Sequence, residues 1–212
     1  SDVYKRQVYL STAYFAPVSY YASFLRYDRI VIEQWCNYTK QTYRNRCHIA
    51  GANGLLALSV PIVKPDTIKC PTKDIRISDH GEWRHLHWNA IASAYGSSPF
   101  FEYYQDDIRP FFEKRYEFLL DFNEEIRRTV CNLIGIEPHI EYSSSYSEPA
   151  PGETDLRDAI HPKKRKAETI LPVQPKPYYQ VFSEKYGFQP DLSIIDLLMN
   201  IGPESILILQ NA

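Results

Sequence analysis

The segment RCHIAGANGLLALSV, residues 46–60, predicts a β-hairpin around which the rest of the fold is organised. Its central pair, Asn53 and Gly54, is the dipeptide favoured in two-residue hairpin turns, because both residues tolerate the positive φ angles of such turns. In residues 56–60 large apolar side chains occupy every second position, which predicts one buried face and one outer face. The segment therefore indicates an antiparallel pair of strands with one side against the core.

Further strand and helix signals lie on both sides of the hairpin. Residues 8–14 and 30–32 are β-branched or aromatic runs that predict strands. Apolar residues at helical spacing predict a long amphipathic helix over residues 108–134, with Gly135 placed to end it. We therefore predict an α+β fold: a single domain with a mixed β-sheet and a β-hairpin packed against several helices, with the 108–134 helix lying on the hairpin.

The expected order varies along the chain. We predict a domain over residues 8–212, preceded at residues 1–7 by an adapter-derived or disordered extension. Within the domain, residues 143–177 form a Pro-rich arm whose backbone should be less regular than the rest, because proline removes a backbone donor and fixes φ. The basic run at 163–166 inside the arm predicts a solvated loop.

Composition and charge exclude several classes of protein. The 24 Lys and Arg against 26 Asp and Glu give a net charge of −2, which argues against nucleic-acid binding driven by bulk charge. No apolar run reaches the ~18 residues of a transmembrane helix, so we expect no membrane span. The four cysteines form no Cys-x-x-Cys pair and match no standard zinc spacing, so we predict no metal site and a reducing, cytoplasmic location.

A dense polar cluster enters the first strand of the hairpin and supplies the predicted ligand-binding residues. It consists of Lys40, Tyr43, Arg44, Asn45 and Arg46. Guanidinium groups match phosphate or carboxylate geometry, and in a regular strand Arg44 and Arg46 would point to the same face. The cluster therefore suits an anionic ligand. The same charges would equally protect an edge strand against aggregation, and both interpretations stay open.

A second cluster lies on a helix that we predict to start near Asp79 and Glu82, whose spacing resembles a capping box. His87 falls on the apolar stripe of this helix together with Trp83, and a polar ring on a buried face needs a partner. We hypothesise that His87 is a general base in one pocket with the two arginines, where Trp83 stacks on the ligand. The alternative is a core histidine whose hydrogen bonds are satisfied.

Other polar residues are weaker candidates for a site. The arm contributes four that could close over a pocket, namely Asp155, Arg157, His161 and Lys163. Ser193 and Asp196 have the spacing of a capping box, so we assign them to a helix start rather than to nucleophilic catalysis. None of the common enzyme signatures, such as a P-loop, G-x-S-x-G or H-E-x-x-H, occurs in the sequence.

Five motifs in one order resemble the WbqC-like protein family. They are QTYRNR (41–46), LSVP (58–61), WRxxH (83–87), AYG (94–96) and LSIIDLLMNxG (192–202). The resemblance extends from about residue 8 to residue 202. It implies an α+β fold with a mixed sheet and helices. It also implies a role beside surface-polysaccharide and O-antigen assembly, where some family members are described as amino-acid or acyl transferases acting on amino sugars.

Two functional hypotheses follow. The first is a transferase that modifies an amino sugar or nucleotide-linked sugar by aminoacyl or acyl transfer in bacterial surface-polysaccharide or O-antigen biosynthesis. The second is a non-catalytic protein that binds a glycan or a partner in such a pathway. Both expect a small-molecule or nucleotide-sugar ligand, and neither identifies a cofactor. A transferase needs Arg44, Arg46 and His87 to converge on one concave site, whereas a binding protein can leave them apart.

Overall fold

The structure, a computed structural model, describes residues 6–164 and 174–212. Its strands are β1 (Gln7–Leu10), β2 (Arg29–Ile32), β3 (Arg46–Gly51), β4 (Gly54–Ser59), β5 (Ile140–Tyr142) and β6 (Thr154–Asp155). Its helices are α1 (Val18–Arg26), α2 (Trp83–Tyr95), α3 (Phe101–Ile108), α4 (Leu119–Ile134), α5 (Ser183–Tyr186), α6 (Ile194–Ile201) and α7 (Ser205–Gln210). The mixture of helices, a parallel sheet and an antiparallel pair confirms the predicted α+β class.

The central sheet is parallel and has the strand order β5-β2-β1-β6. Val8 of β1 pairs with Ile30 of β2 on one side and with Thr154 of β6 on the other. β1 and β2 are almost entirely buried, as expected for strands covered on both faces. β1 begins at Gln7, which pairs with Arg29, so the sheet starts one residue before the predicted domain boundary. Residues 1–5 of the predicted extension lie outside the described residues.

The hairpin forms a second sheet of its own, so the predicted mixed sheet is divided into a parallel and an antiparallel part. β3 and β4 pair antiparallel through to Gly51 and Gly54, so the two turn residues are Ala52 and Asn53, one position before the predicted Asn53-Gly54 turn. Gly54, the first residue of β4, has a positive φ. The prediction of one buried face was wrong at Leu56, which is 40% exposed although Leu58 and Val60 are buried. β4 is an edge strand, and its turn end extends beyond the core.

The helix that packs on the hairpin is α2, not the predicted 108–134 helix. The Tyr95 hydroxyl of α2 lies 3.3 Å from the backbone nitrogen of Ala50 and accepts its hydrogen bond. The predicted long helix is interrupted, because a 3-10 turn containing Pro110 ends α3 and the chain is then extended at Phe118. Phe118 forms an isolated bridge with Arg76, so α4 can start only at the next residue.

The described part of the arm contains little regular structure. It provides the two-residue strand β6 and one 3-10 turn at Pro162–Lys164. β6 extends the central sheet beside β1, which was not predicted. The last two residues of the basic run, Arg165 and Lys166, lie outside the described residues.

The C-terminal segment is tied to the core through a buried carboxylate. Ser193 caps α6 as predicted, since its hydroxyl accepts from the backbone nitrogen of Ile195 at 3.2 Å. The predicted capping box is not completed by Asp196, because the backbone nitrogen of Ser193 donates to the carbonyl of His48. Asp196 is 1% exposed and accepts hydrogen bonds from the hydroxyls of Tyr95 at 2.8 Å and Tyr178 at 2.7 Å. Burial raises the pKa of this carboxyl, while the hydroxyl donors act against that shift.

Candidate functional site at the carboxyl edge of the parallel sheet

The strand order places a crevice between β1 and β6. The chain leaves β1 through α1 to reach β2 on one side, while β6 arrives from a distant part of the sequence on the other side. In open parallel sheets, ligands bind at the carboxyl ends of strands where such connections diverge. The segments that follow β1 and β6 meet residues 42–44 there and form what we call the edge pocket. It is lined by Ser11, Thr12, Ala13, Tyr20, Thr42, Tyr43, Arg44, Leu156, Arg157 and Ile160.

Arg44 is the buried cation of the edge pocket. Arg44 is only 5% exposed. Its Nη2 donates to Ser11 Oγ at 2.9 Å and lies 3.6 Å from Cys36 Sγ. Its Nε and the Oγ1 of Thr12 are buried without a hydrogen-bond partner among residues 6–164 and 174–212. No carboxylate in this part of the chain forms an ion pair with Arg44. A buried guanidinium with an unused donor favours an anion beside it.

Arg157 and His161, on the segment after β6, add no unpaired positive charge to that of Arg44. Arg157 forms ion pairs with Asp155 at 2.8 Å and Glu148 at 3.3 Å, and the hydrogen bond to Asp155 is the main cause that raises its pKa. Burial lowers the pKa of His161, and the neighbouring charges of Lys164, Lys163 and Arg44 lower it further. His161 is therefore neutral at pH 7. Its Nδ1 accepts from the backbone of Lys163 at 3.1 Å, so Nε2 carries the ring proton.

Two of the segments around the edge pocket contain backbone in the left-handed region. Phe15, shortly after β1, has φ 37°, and Gln41, just before Thr42, has φ 59°. Non-glycine residues pay on the order of 1–2 kcal/mol for this conformation, and such residues cluster at functional sites. The cavity itself is small, about 20 Å³, which is room for about one water molecule.

His87 lies in an aromatic cluster rather than in the edge pocket. Its Nε2 is 3.1 Å from the carbonyl oxygen of Ser59, which can only accept, so Nε2 holds the proton and donates. Its Nδ1 therefore accepts from the hydroxyl of Tyr14 at 2.8 Å. Trp83 and Phe112 pack around the ring, with centroids 5.1 Å and 6.4 Å away. Burial lowers the pKa of His87 to about 4.

The remaining predicted site residues serve the local fold around the hairpin. The amide of Asn45 donates to the carbonyl of Val60 at 2.8 Å, and Trp83 Nε1 donates to the carbonyl of Ser78 at 2.9 Å. Arg46 Nε donates to Ser59 Oγ at 3.1 Å. Lys40 is exposed on the loop before β3.

The structure thus brings only some of the predicted site residues together. Tyr43 and Arg44 line the edge pocket, whereas Lys40, Asn45, Arg46, Trp83 and His87 are not among its lining residues. Arg46 and His87 instead converge on a common neighbour, Ser59. The ligand-binding and general-base roles of these residues stay predictions. His87 can act as a base only if the hydrogen bond from the Tyr14 hydroxyl to Nδ1 breaks, because Nδ1 is the ring nitrogen without a proton.

Residues 6–164 and 174–212 contain neither a cluster of metal-ligating side chains nor a membrane-spanning helix. No group of three or more His, Cys, Asp and Glu residues is placed there to hold a metal ion. No helix within these ranges combines the length and apolar character needed to cross a membrane. The four cysteines are all free thiols: Cys36, Cys47, Cys70 and Cys131.

Comparison with known proteins agrees with the motifs quoted above. The model of the WbqC-like protein family matches residues 12–208, almost the whole chain. The chain belongs to the WbqC-like protein family. A relative in this comparison is "Uncharacterized protein Rv1507c" from Mycobacterium tuberculosis (strain ATCC 25618 / H37Rv), which is 25% identical over 91% of this chain and 89% of its own length. No solved structure matches the chain.

Several residues that line the edge pocket of this WbqC-like protein could not be predicted as site residues from the sequence. Ser11 and Thr12 were placed inside a strand predicted over residues 8–14, but β1 ends at Leu10. Leu156 follows β6, a strand of two residues that is too short to show a pattern. The usable signal was the buried run of β1 followed by small polar residues, which is typical of a parallel strand that ends at a site.

Proposed function

We propose that this WbqC-like protein is a transferase that modifies an amino sugar or a nucleotide-linked sugar, by aminoacyl or acyl transfer, in bacterial surface-polysaccharide or O-antigen biosynthesis in the cytoplasm. The edge pocket holds a phosphate group of the substrate. The observation that carries the proposal is the buried guanidinium of Arg44, which has an unused Nε donor and no carboxylate partner in the described part of the chain.

The chemistry of the neighbouring groups supports a phosphate rather than a cation. A buried, uncompensated charge is costly, and an anion that accepts from Arg44 would remove that cost. The residues that follow β1, Ser11 and Thr12, line the same crevice, and the buried Oγ1 of Thr12 has no hydrogen-bond partner in the described part of the chain, so it can donate to the phosphate as well. Because the cavity is about 20 Å³, the side chains of Arg157 and Ile160 have to give way as a phosphate enters.

The test measures binding by isothermal titration calorimetry, with inorganic phosphate and a uridine-diphosphate-linked amino sugar as probes. Arg44→Met should weaken binding of both probes by about 10- to 100-fold, because a charge-assisted hydrogen bond is lost. Arg44→Lys should restore only part of the lost affinity, because an ammonium group lacks the planar, bidentate geometry of a guanidinium. Arg26→Met, at an exposed position on α1, is the matched control and should bind like the wild type. Equal affinities of the Arg44 and Arg26 variants would refute a phosphate site at the edge pocket.

One observation favours the second candidate function, a non-catalytic protein that binds a glycan or partner. Arg44 lines the edge pocket, while Arg46 and His87 meet at Ser59 and both ring nitrogens of His87 are engaged. A transferase was expected to bring these three residues together. Incubation of the protein with acyl-CoA or an activated amino acid and the sugar nucleotide, followed by mass spectrometry, separates the two functions. A product of increased mass supports the transferase, and binding without any product supports the binding protein.

A further inference from the structure

A second and larger pocket lies at the N-terminal end of α2 and has no lining residue in common with the edge pocket. We call it the helix-end pocket. Its cavity of about 320 Å³ is within the size range of small-molecule sites. Its walls include three arginines, three carboxylates and two aromatic rings. The residues used below are Asp79, Glu82, Arg84, Arg115, Trp88 and Phe112.

The helix-end pocket contains both paired and unpaired charged groups. Asp79 forms ion pairs with both Arg84 and Arg115, each at 2.8 Å, so one carboxylate is shared by two guanidinium groups. Arg115 is 76% exposed and keeps donors for a further partner. Glu82 is also exposed, and no ion pair engages it within residues 6–164 and 174–212. The remaining pair, Arg109 and Glu113, neutralise each other at 3.1 Å.

The backbone before α2 places the side chains of Asp79 and Glu82 at the pocket, where they do not cap the helix. The capping box predicted for Asp79 and Glu82 was wrong: neither side chain caps a helix, and Gly81 and Glu82 have φ angles of 76° and 52°. Two successive left-handed residues turn the chain sharply into α2. Glu82 is thereby held at the pocket in a conformation that costs a non-glycine residue stability.

An apolar wall completes the helix-end pocket. Trp88 is half-buried and packs at 35° against Phe112, with ring centroids 6.0 Å apart. Pockets for small molecules combine such apolar walls with a few charged groups that fix orientation. Here the charged groups have both signs: two guanidinium groups share the one carboxylate of Asp79, and the carboxylate of Glu82 has no ion pair within the described residues.

We propose that the helix-end pocket binds a small zwitterion of the α-amino-acid class. The ligand carboxylate accepts from the guanidinium groups of Arg84 and Arg115, and its ammonium group donates to Glu82. Its side chain lies against Trp88 and Phe112. This site is independent of the phosphate site proposed above, so either can fail without the other.

The experiment compares three probes by calorimetry: phenylalanine, its methyl ester, which lacks the carboxylate, and N-acetylphenylalanine, which lacks the ammonium group. Phenylalanine should bind with a Kd of about 1 mM or tighter, and each blocked derivative about tenfold or more weakly, because each has lost a charge-assisted hydrogen bond. Equal binding of all three probes, or no binding of phenylalanine at about 10 mM, overturns the proposal.

Variants at Glu82 locate the binding. Glu82→Gln removes the charge with little change of shape and should weaken phenylalanine binding about tenfold or more. Glu82→Gly should do the same while folding at least as well as the wild type, because glycine tolerates φ 52°. Glu137→Gln, at an exposed position after α4, is the matched control and should bind normally. Unchanged binding in both Glu82 variants overturns the proposal.

Discussion

The buried imidazole of His87 should make folding stability depend on pH in a way that can be assigned to one residue. In the folded protein burial lowers its pKa from 6.5 to about 4, and both ring nitrogens are already engaged. In the unfolded chain the ring regains a pKa of about 6.5. Between these values the unfolded state binds a proton that the folded state does not, so stability falls as the pH falls.

The size of the effect follows from the two pKa values. A difference of one pKa unit between the unfolded and folded states corresponds to about 1.4 kcal/mol. At pH 4.5, which is about two units below the unfolded pKa of His87, nearly two units of this difference contribute to the free energy of unfolding. His87 should therefore cost about 2.5 kcal/mol of unfolding free energy at pH 4.5, and almost nothing above pH 7.5. Because the ring is almost completely shielded from solvent, screening reduces this value little.

The assay is urea denaturation at pH 7.5 and pH 4.5 for the wild type, His87→Gln and His85→Gln. His85 lies on the same helix but is exposed, so its variant controls for loss of a histidine as such. The stability lost between the two pH values should be about 2.5 kcal/mol smaller in His87→Gln than in the other two proteins. The same loss in all three proteins, or a His87 ring that titrates near pH 6.5 by NMR, would refute the reasoning.

Two further predictions concern stability. Asp196→Ala should lower the free energy of unfolding by about 2–5 kcal/mol, because the buried hydroxyls of Tyr95 and Tyr178 lose their acceptor. A decrease below about 1 kcal/mol in chemical denaturation would contradict this prediction. Gln41→Gly should raise the thermal midpoint, because glycine relieves about 1 kcal/mol of strain at φ 59°. The control Lys40→Gly, at the neighbouring position without a positive φ, should lower the midpoint. Equal shifts of the same sign in the two variants would contradict a strained backbone at Gln41.

The sequence predicted the parts of the fold that depend on local pattern. The hairpin, with its turn one residue earlier than predicted, and the end of the amphipathic helix at Gly135 are present, because each is determined by neighbouring residues. The 108–134 helix was predicted too long, since the pairing of Phe118 with Arg76 is a long-range contact that outweighs helical periodicity.

The candidate site was harder to predict because it is assembled from distant segments. Alternation in a regular strand suggested that Arg44 and Arg46 share a face, but β3 begins only at Arg46, so Arg44 follows loop geometry and turns inward. The placement of Arg157 in the edge pocket depends on β6, which pairs with a strand near the other end of the chain. No spacing rule in the sequence links these segments.

The position of β6 far along the chain has a consequence during translation, because β6 is synthesised long after the strand that it pairs with. Thr154 is synthesised 144 residues after Leu10, so the edge of β1 that β6 covers stays unpaired for roughly 7–30 s at about 5–20 residues per second. During that interval β1 and β2 can pair, but one side of β1 exposes unpaired backbone groups of an apolar strand. Nascent chains stalled before residue 154 should therefore bind chaperones that recognise open strand edges, and release them once β6 has been made.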